Sequence, residues 1–210
     1  MDYKKFNEEQ TVSERDSFTM RRYKQFAKYL KESGQYKIIL DVGCNTGRGG
    51  NVLIENFPQS ELIGLDIVPE RLAKVPKGVF VRLICGTSTD RHFEDNSISA
   101  IVGGEFIEHL ESNDVDISLR LFYKYLMPGG LLLLTTPNPQ AYLEKLGRTS
   151  VFSDPSHFCI MSIQDLTNRL KQSGFKKIIV KGSGKASIYL PDWFPLINVF
   201  GSYLIMAKKD

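Results

Sequence analysis

The run Ile38-Ile39-Leu40-Asp41-Val42-Gly43-Cys44-Asn45-Thr46-Gly47-Arg48-Gly49-Gly50 decides the fold of this chain. A short apolar stretch ends at an acidic residue and passes directly into glycines, which predicts a buried strand, a tight loop and then a helix. Glycines can adopt positive φ, and the helix offers unpaired N–H groups and the positive end of its dipole. The sequence therefore predicts a ligand-binding loop after the first strand.

The spacing of the loop residues indicates the kind of ligand. A dinucleotide fingerprint needs G-x-G-x-x-G around a pyrophosphate, whereas here Gly43 and Gly47 enclose three residues and Asp41 precedes the first glycine. A carboxylate at that position would repel a pyrophosphate, and it would suit a cationic ligand.

The segment from Asp41 to Gly47 resembles the first motif of the class I S-adenosylmethionine-dependent methyltransferases, D-x-G-x-G-x-G. Asn45 replaces the middle glycine, and asparagine is among the few other residues enriched at positive φ. The resemblance implies S-adenosylmethionine as cofactor, S-adenosylhomocysteine as product, and Asp41 near the cofactor's ammonium group. The loop residues implied to contact the cofactor are Asp41, Gly43, Cys44, Asn45, Thr46 and Gly47.

Two further strand ends are expected to contribute to this site. A crossover helix at 51–57 and a strand at 61–66 form a βαβ unit, and Asp66 at its end can accept hydrogen bonds from ribose hydroxyls. The alternative is an N-cap or surface aspartate, because Pro69 begins another helix. A third strand at 79–85 precedes Gly86 and Thr87, where the family often has an aspartate that recognises adenine. The remaining expected cofactor contacts are Asp66, Ile67, Gly86, Thr87 and Glu105.

The stretch from Gly103 to Leu110 follows a fourth strand predicted at 98–102, at the sheet edge where open α/β folds bind ligands. It contains E-x-x-E-H, as found in the ubiquinone-pathway O-methyltransferases and in the small-RNA 3′-end 2′-O-methyltransferases. The expected catalytic residues are Glu105, Glu108, His109 and His157.

Two uses of these four residues stay open. The resemblance to the RNA enzymes implies that Glu105, Glu108, His109 and His157 together hold Mn²⁺, Fe²⁺ or Zn²⁺. We favour the metal-free alternative, in which one histidine is a general base and the carboxylates raise its pKa and fix its tautomer. His92, in a predicted loop, is expected on the surface.

The second half of the chain continues the α/β pattern. Further elements are predicted as a helix at 113–127, a strand at 131–136, a helix at 162–174 and strands at 177–180 and 202–207. The resemblance covers roughly 37–138. The expected fold class is α/β, a Rossmann-like sheet of seven mostly parallel strands with helices on both faces and the last strand antiparallel.

We expect one methyltransferase domain over 1–210, divided into an N-terminal helical cap at 1–36, a cofactor half at 37–138 and a substrate half at 139–210. A capping-box spacing at Ser13 to Asp16 predicts a leading helix that ends near Gly34. This helix either covers the cofactor or packs on the sheet as core.

The segment 183–200 is richer in aromatic residues than a connector requires, with Trp193 as its largest side chain. A substrate lid, a homodimer interface, a patch that rests on a membrane and ordinary core would each use such residues. The sequence leaves these four alternatives open.

Composition limits the partners. The 210 residues are 42% hydrophobic and carry a net charge of +3, with scattered cations that disfavour nucleic acid without excluding it. Residues 1–10 lack an apolar signal core and no apolar run reaches about 18 residues, so we expect a cytoplasmic protein without a transmembrane segment. Three cysteines without paired or metal-type spacing are expected as reduced thiols.

The expected function is methylation of a hydroxyl on a small metabolite, sugar or lipid-linked precursor. One alternative is a metal-assisted RNA 3′-end 2′-O-methyltransferase. The other is a non-catalytic, S-adenosylmethionine-binding regulatory protein.

Overall fold

The computed structural model describes residues 17–147, 152 and 154–210. Its strands are β1 Ile38–Val42, β2 Glu61–Asp66, β3 Arg82–Cys85, β4 Ile98–Gly104, β5 Leu126–Pro137, β6 Lys177–Ser183 and β7 Ser202–Lys208. Its α-helices are α1 Ser17–Ser33, α2 Arg48–Asn56, α3 Pro69–Leu72, α4 Ser112–Tyr125, α5 Tyr142–Lys145 and α6 Ile163–Gln172. Short 3₁₀ turns cover Ile107–His109, Lys185–Ile188 and Ile197–Val199.

The seven strands form one sheet in the order β3-β2-β1-β4-β5-β7-β6. Strands β1 to β5 pair in parallel, whereas β7 lies antiparallel to both β5 and β6. The predicted fold class is confirmed, including the antiparallel last strand. Strands β2 and β3 are added on one side of β1, and β4 and β5 on the other, so the order of the strands switches between β1 and β4. Such a switch point opens a crevice for a ligand at the carboxyl edge of the sheet.

Alternate residues of the central strands face two separate cores. Leu40 packs with α4 and α6 on one face, while Ile39 packs with α1 and α2 on the other. Because both faces of β1 are covered, its residues can be apolar without alternation, which explains the continuous apolar run in the sequence. The result is a three-layer arrangement with helices on both faces.

Several boundaries differ from the sequence prediction. The third strand begins at Arg82 rather than at 79, and α2 begins at Arg48 rather than at 51. Helix α4 ends at Tyr125, because the chain enters β5 at Leu126, before the Pro-Gly-Gly turn rather than after it. A shift in the register between β4 and β5 accommodates those residues. The capping-box residues predicted at 13–16 lie outside the described residues.

The parallel strand ends bring the candidate residues to one edge. Asp41 lies beside Gly64 and Val102 near the ends of β1, β2 and β4. Pro137 at the end of β5 pairs with Ser202, which pairs with Ser183 at the end of β6. The loops after these strands therefore meet at the same edge. Within the described part of the chain, none of the helices has the length and apolar character needed to cross a bilayer.

Candidate active site

The loop between β1 and α2 has the backbone shape that a close ligand approach requires. Gly43 and Gly47 have φ values of +70° and +79°, and Asn45 has φ of +51°. The Asn45 side chain accepts a hydrogen bond from the backbone N–H of Thr46 at 2.8 Å. Cys44 contributes backbone to the loop, while its buried side chain packs against β2. Asparagine therefore takes the left-handed conformation for which the family motif usually has glycine.

Asp41 is fully buried and lies beneath α1. The Tyr23 hydroxyl donates a hydrogen bond to Oδ1 of Asp41 at 2.6 Å, while Oδ2 is buried without a hydrogen-bond partner among the described residues. Burial raises the pKa of Asp41 to about 7, the Tyr23 hydrogen bond opposes that rise, and the charge of Asp66 adds to it. A buried carboxylate oxygen that lacks a donor fits the position of a cationic ligand group.

Asp66 ties the glycine loop to the second strand. Its Oδ2 accepts from the backbone N–H of Asn45 at 2.9 Å, and its Oδ1 accepts from the backbone N–H of Val68 at 2.9 Å. Asp66 is buried, and the helix cap of α3 is Val68, so neither the surface nor the N-cap alternative describes this residue. Each carboxylate oxygen has two lone pairs, which leaves acceptor capacity for ribose hydroxyls beside half-buried Ile67.

His92 stabilises the loop after β3, and its expected surface position is wrong. The imidazole is half-buried, packs against Gly86, and places Nε2 at 2.7 Å from the carbonyl oxygen of Thr87. The hydroxyl of Thr87 is engaged with that of Thr89 at 2.7 Å. A histidine therefore holds the loop that is expected to face adenine, and no spacing in the sequence indicates this contact.

Glu105 occupies a tight turn immediately after β4. Its φ is +50°, and its backbone N–H donates to the carbonyl oxygen of Thr135 at 3.0 Å. Its Oε1 lies 3.3 Å from Nε of Arg22, and the two side chains are 18% and 14% exposed. Arg22 and Tyr23 are neighbours on α1, so this helix contacts both Glu105 and Asp41.

Glu108 lies in the 3₁₀ turn after β4 and is fully buried. Its Oε2 accepts a hydrogen bond from the Thr136 hydroxyl at 3.1 Å, while Oε1 is buried without a hydrogen-bond partner within the described ranges. Burial raises the pKa of Glu108, the nearby charge of Glu105 adds to the rise, and the Thr136 hydrogen bond opposes it. This carboxyl is therefore shifted towards its protonated form relative to a free glutamate.

One ring nitrogen of His109 is engaged in a hydrogen bond, and the other keeps a lone pair that can accept a proton. Nδ1 lies 2.9 Å from the backbone carbonyl oxygen of Ser156. Because a carbonyl oxygen can only accept, Nδ1 carries the hydrogen, and Nε2 of the neutral ring keeps its lone pair. Burial lowers the pKa of His109, and the nearby His157 lowers it further, while the Ser156 hydrogen bond opposes the shift. The expectation that carboxylates raise this pKa and fix the tautomer is therefore wrong for His109, because burial outweighs the nearby acids and a backbone carbonyl fixes the tautomer.

His157 lies against His109, with ring centroids 5.2 Å apart. Its Nε2 is 3.8 Å from a carboxylate oxygen of Asp154. Within the described part of the chain, potential metal ligands of Glu108, His109 and His157 lie within 4.8 Å of one another. Glu105 is not part of that group, since its carboxylate faces Arg22. The structure thus brings three of the four candidate metal ligands together.

Several residues of the site were not identified from the sequence. Nothing in the position of Tyr23 within the predicted leading helix indicates a contact with Asp41. No motif marks Arg22 as a partner of Glu105. Thr136 and the Ser156 carbonyl lie far along the chain from the residues they contact, and only the sheet topology brings them there.

Comparisons with known proteins agree with this geometry. A family model described as a methyltransferase domain matches residues 12–180. Phosphoethanolamine N-methyltransferase 3 of Arabidopsis thaliana is 27% identical over 158 residues, which cover 68% of this chain and 29% of that protein. The mitochondrial ubiquinone biosynthesis O-methyltransferase of Rattus norvegicus is 29% identical over 128 residues, which cover 55% of this chain and 34% of that protein. The chain therefore spans about a third of the length of these curated relatives.

The fold also recurs in a solved structure. Phosphoethanolamine N-methyltransferase 2 of Haemonchus contortus, in complex with S-adenosyl-L-methionine, superimposes with a TM-score of 0.71 at 16% identity. The match covers 100% of this chain and 60% of that one. The family model, the sheet order and the buried acid beside the glycine loop together show that this chain belongs to the class I S-adenosylmethionine-dependent methyltransferases.

Proposed function

We propose that the protein transfers a methyl group from S-adenosylmethionine to a hydroxyl oxygen, with His109 as the general base. The observation that carries this proposal is the 2.9 Å contact between Nδ1 of His109 and the carbonyl oxygen of Ser156. It leaves Nε2 as a proton acceptor, and the lowered pKa of His109 keeps the ring neutral near pH 7.

The cofactor supplies a methyl group bound to a sulfonium sulfur, and the rest of the cofactor is then the leaving group, as a neutral thioether. The chain's own residues then have two tasks, which are to align the acceptor oxygen and to remove its proton. Nε2 of His109 takes the proton as the oxygen attacks, and alignment in such a site contributes roughly 7–11 kcal/mol to lowering the barrier. His157 packs against the His109 ring, and Asp154 lies beside His157.

The cofactor would lie along the edge formed by the loops after β1, β2 and β3. Asp41 would receive its ammonium group, Asp66 its ribose hydroxyls, and the Gly86–Thr87 backbone would border adenine. In this proposal, residues 37–138 form the cofactor half, 1–36 its cap and 139–210 the substrate half of one domain. The remaining proposed contacts are Gly43, Cys44, Asn45, Thr46, Gly47, Ile67 and Glu105.

The acceptor is proposed to be a small metabolite, a sugar or a lipid-linked precursor that carries a hydroxyl group. The curated relatives include both an O-methyltransferase and an N-methyltransferase, so a nitrogen acceptor is the natural competitor. An oxygen acceptor depends more strongly on a base, because a hydroxyl must lose its proton as it reacts whereas a neutral amine can attack first. A cytoplasmic location stays a prediction.

The test is turnover of labelled cofactor across hydroxylated small molecules and amines, using wild type, His109→Gln and His92→Gln. Removing the base should slow turnover of a hydroxyl acceptor roughly 10²–10⁴-fold and leave the affinity for S-adenosylhomocysteine unchanged. His92→Gln makes the same chemical change beside the adenine loop, and it should weaken cofactor affinity more than turnover. Wild-type turnover by His109→Gln would remove His109 as base, and cofactor binding without any turnover would identify a binding protein.

A metal-assisted reaction is the second candidate, favoured by the proximity of Glu108, His109 and His157. A histidine that donates its other N–H to a carbonyl is also well oriented for metal binding. In that case, substitution of any one of the three should abolish both metal binding and turnover, and a chelator should reproduce the loss. Activity restored by Mn²⁺ or Zn²⁺, with stoichiometric metal in the protein, would favour methylation of an RNA 3′ end over the metal-free proposal.

A further inference from the structure

Two segments that leave the carboxyl edge of the sheet expose several large apolar side chains. We call their exposed apolar side chains, at 142–146 and 188–196, the apolar rim. Tyr189 is 84% exposed and Trp193 66% exposed. The other members, each between 44% and 67% exposed, are Tyr142, Leu143, Leu146, Ile188 and Leu196. The core alternative for this segment therefore holds for Phe200, which is fully buried, and fails for Trp193.

The two parts of the apolar rim are joined. Asn138, after β5, donates from its side chain to the carbonyl oxygen of Phe200 at 3.2 Å, and its backbone N–H donates to Gly201 at 2.8 Å. Helix α5 also contacts the 3₁₀ turn at Ile197–Val199. Both segments leave the sheet at its carboxyl edge, so the apolar rim lies at the same edge of the sheet as His109.

Positive charge surrounds the apolar rim. Arg21 on α1 donates to the carbonyl oxygen of Ser187 at 3.3 Å, and exposed Lys185 lies over the ring of Phe18. Lys24 is exposed and one helical turn from Arg21, on the same face of α1. The acid of the segment, Asp192, is paired with Lys28 at 3.2 Å and is 11% exposed. Helix α5 adds one cation and one anion, so the surroundings are net positive.

We propose that the apolar rim docks on the surface of an anionic lipid bilayer. Tryptophan and tyrosine are the side chains that favour the interface between lipid headgroups and acyl chains, and adjacent lysine and arginine are attracted to anionic headgroups. A second copy of this chain fits the rim less well, because a twofold contact would bring the cations of Arg21, Lys24 and Lys185 towards their counterparts. Docking at this edge would bring a lipid-linked acceptor to the side of the sheet that carries His109, and this consequence rests on the proposed function. The docking proposal itself is independent of the proposed function.

The experiment is sedimentation of the full chain with phosphatidylcholine vesicles that contain or lack phosphatidylglycerol. Wild type should sediment with the anionic vesicles and much less with the neutral ones. Lys185→Gln should weaken binding to anionic vesicles about fivefold, since one cation near the surface contributes on the order of that factor. Trp193→Ser should weaken it about tenfold, as expected for roughly 60 Å² of apolar surface no longer withdrawn from water.

Matched controls lie at the opposite edge of the sheet. Val81 is 67% exposed and precedes β3, and Lys37 is exposed and precedes β1, so Val81→Ser and Lys37→Gln should bind vesicles as wild type does. Equal sedimentation of wild type and Trp193→Ser would overturn the proposal, as would failure of wild type to bind anionic vesicles. A dimer seen by light scattering and lost in Trp193→Ser, without vesicle binding, would assign the rim to a second copy instead. Turnover of a hydroxyl acceptor, measured on the same samples without vesicles, tests the proposed function separately.

Discussion

Cofactor affinity should depend on pH through Asp41. With a pKa of about 7, the ionised fraction of this carboxyl rises about fivefold between pH 6 and pH 7. If Asp41 receives the ammonium group of the cofactor, only its ionised form binds well. The affinity for S-adenosylhomocysteine should therefore rise by about fivefold across this interval, which lies below the titration of an α-amino group.

Removing the Tyr23 hydroxyl should move this profile. The hydrogen bond at 2.6 Å stabilises the charged form of Asp41, and a bond of that type contributes roughly 1.5–3 kcal/mol, which corresponds to one to two pKa units. In Tyr23→Phe the pKa of Asp41 should rise accordingly, and binding at pH 7 should weaken by about fivefold or more. Calorimetric titration at several pH values measures both effects.

The same helix offers a matched control. Tyr29 lies on α1 and its hydroxyl is hydrogen-bonded to Asp192 rather than to Asp41, so Tyr29→Phe should leave the pH profile in place. Asp41→Asn should flatten the profile and weaken binding at every pH. A wild-type affinity that does not change between pH 6 and pH 7, or a profile unaltered in Tyr23→Phe, would refute the assignment of Asp41 to the ammonium group.

The raised pKa of Asp41 also makes the stability of the cofactor-free protein depend on pH. The folded protein binds this proton more tightly than the unfolded chain, whose ordinary value is 3.8. The contribution of this proton to the free energy of unfolding is therefore fully present below about pH 4. It is lost as the pH rises towards 7, which lowers the free energy of unfolding by on the order of 4 kcal/mol for this group alone. A bound cation would offset that loss.

Three further outcomes are expected. Asp66→Ala should weaken S-adenosylmethionine binding about 10–100-fold in calorimetry and also lower the melting temperature, because two backbone N–H groups lose their acceptor. Trp193→Ala should change the free energy of unfolding by less than about 1 kcal/mol in denaturant titrations, because the ring is 66% exposed; a loss of roughly 3–5 kcal/mol would show instead that it is core. Gly49→Ala should lower both stability and cofactor affinity, because an added Cβ would collide with the Tyr23 ring. Alanine alone would ordinarily favour a helix, so unchanged values would show that the ring can move away freely.

The sheet and the acids at the ends of its parallel strands could be predicted from the sequence, because each depends on local signals. Asp41 and Asp66 are adjacent to apolar runs and glycines that mark strand ends. The contacts of Tyr23 and His92 could not be predicted, because a residue's partner on another element depends on how helices settle on the sheet. Glu105 illustrates the same limit, since its spacing matched a metal-ligand motif while its carboxylate faces Arg22.

Helix α1 contacts three separate elements through the four residues 22–25. Arg22 reaches Glu105, Tyr23 reaches Asp41, and Gln25 holds both the carbonyl oxygen of Gly182 and the hydroxyl of Ser183. Anything that shifts this helix disturbs both the glycine loop and the end of β6. If the cofactor orders α1 and an acceptor binds beside the end of β6, each ligand should raise the affinity for the other by the same factor, because coupling between two binding sites is reciprocal. The two ligands would then bind cooperatively rather than independently.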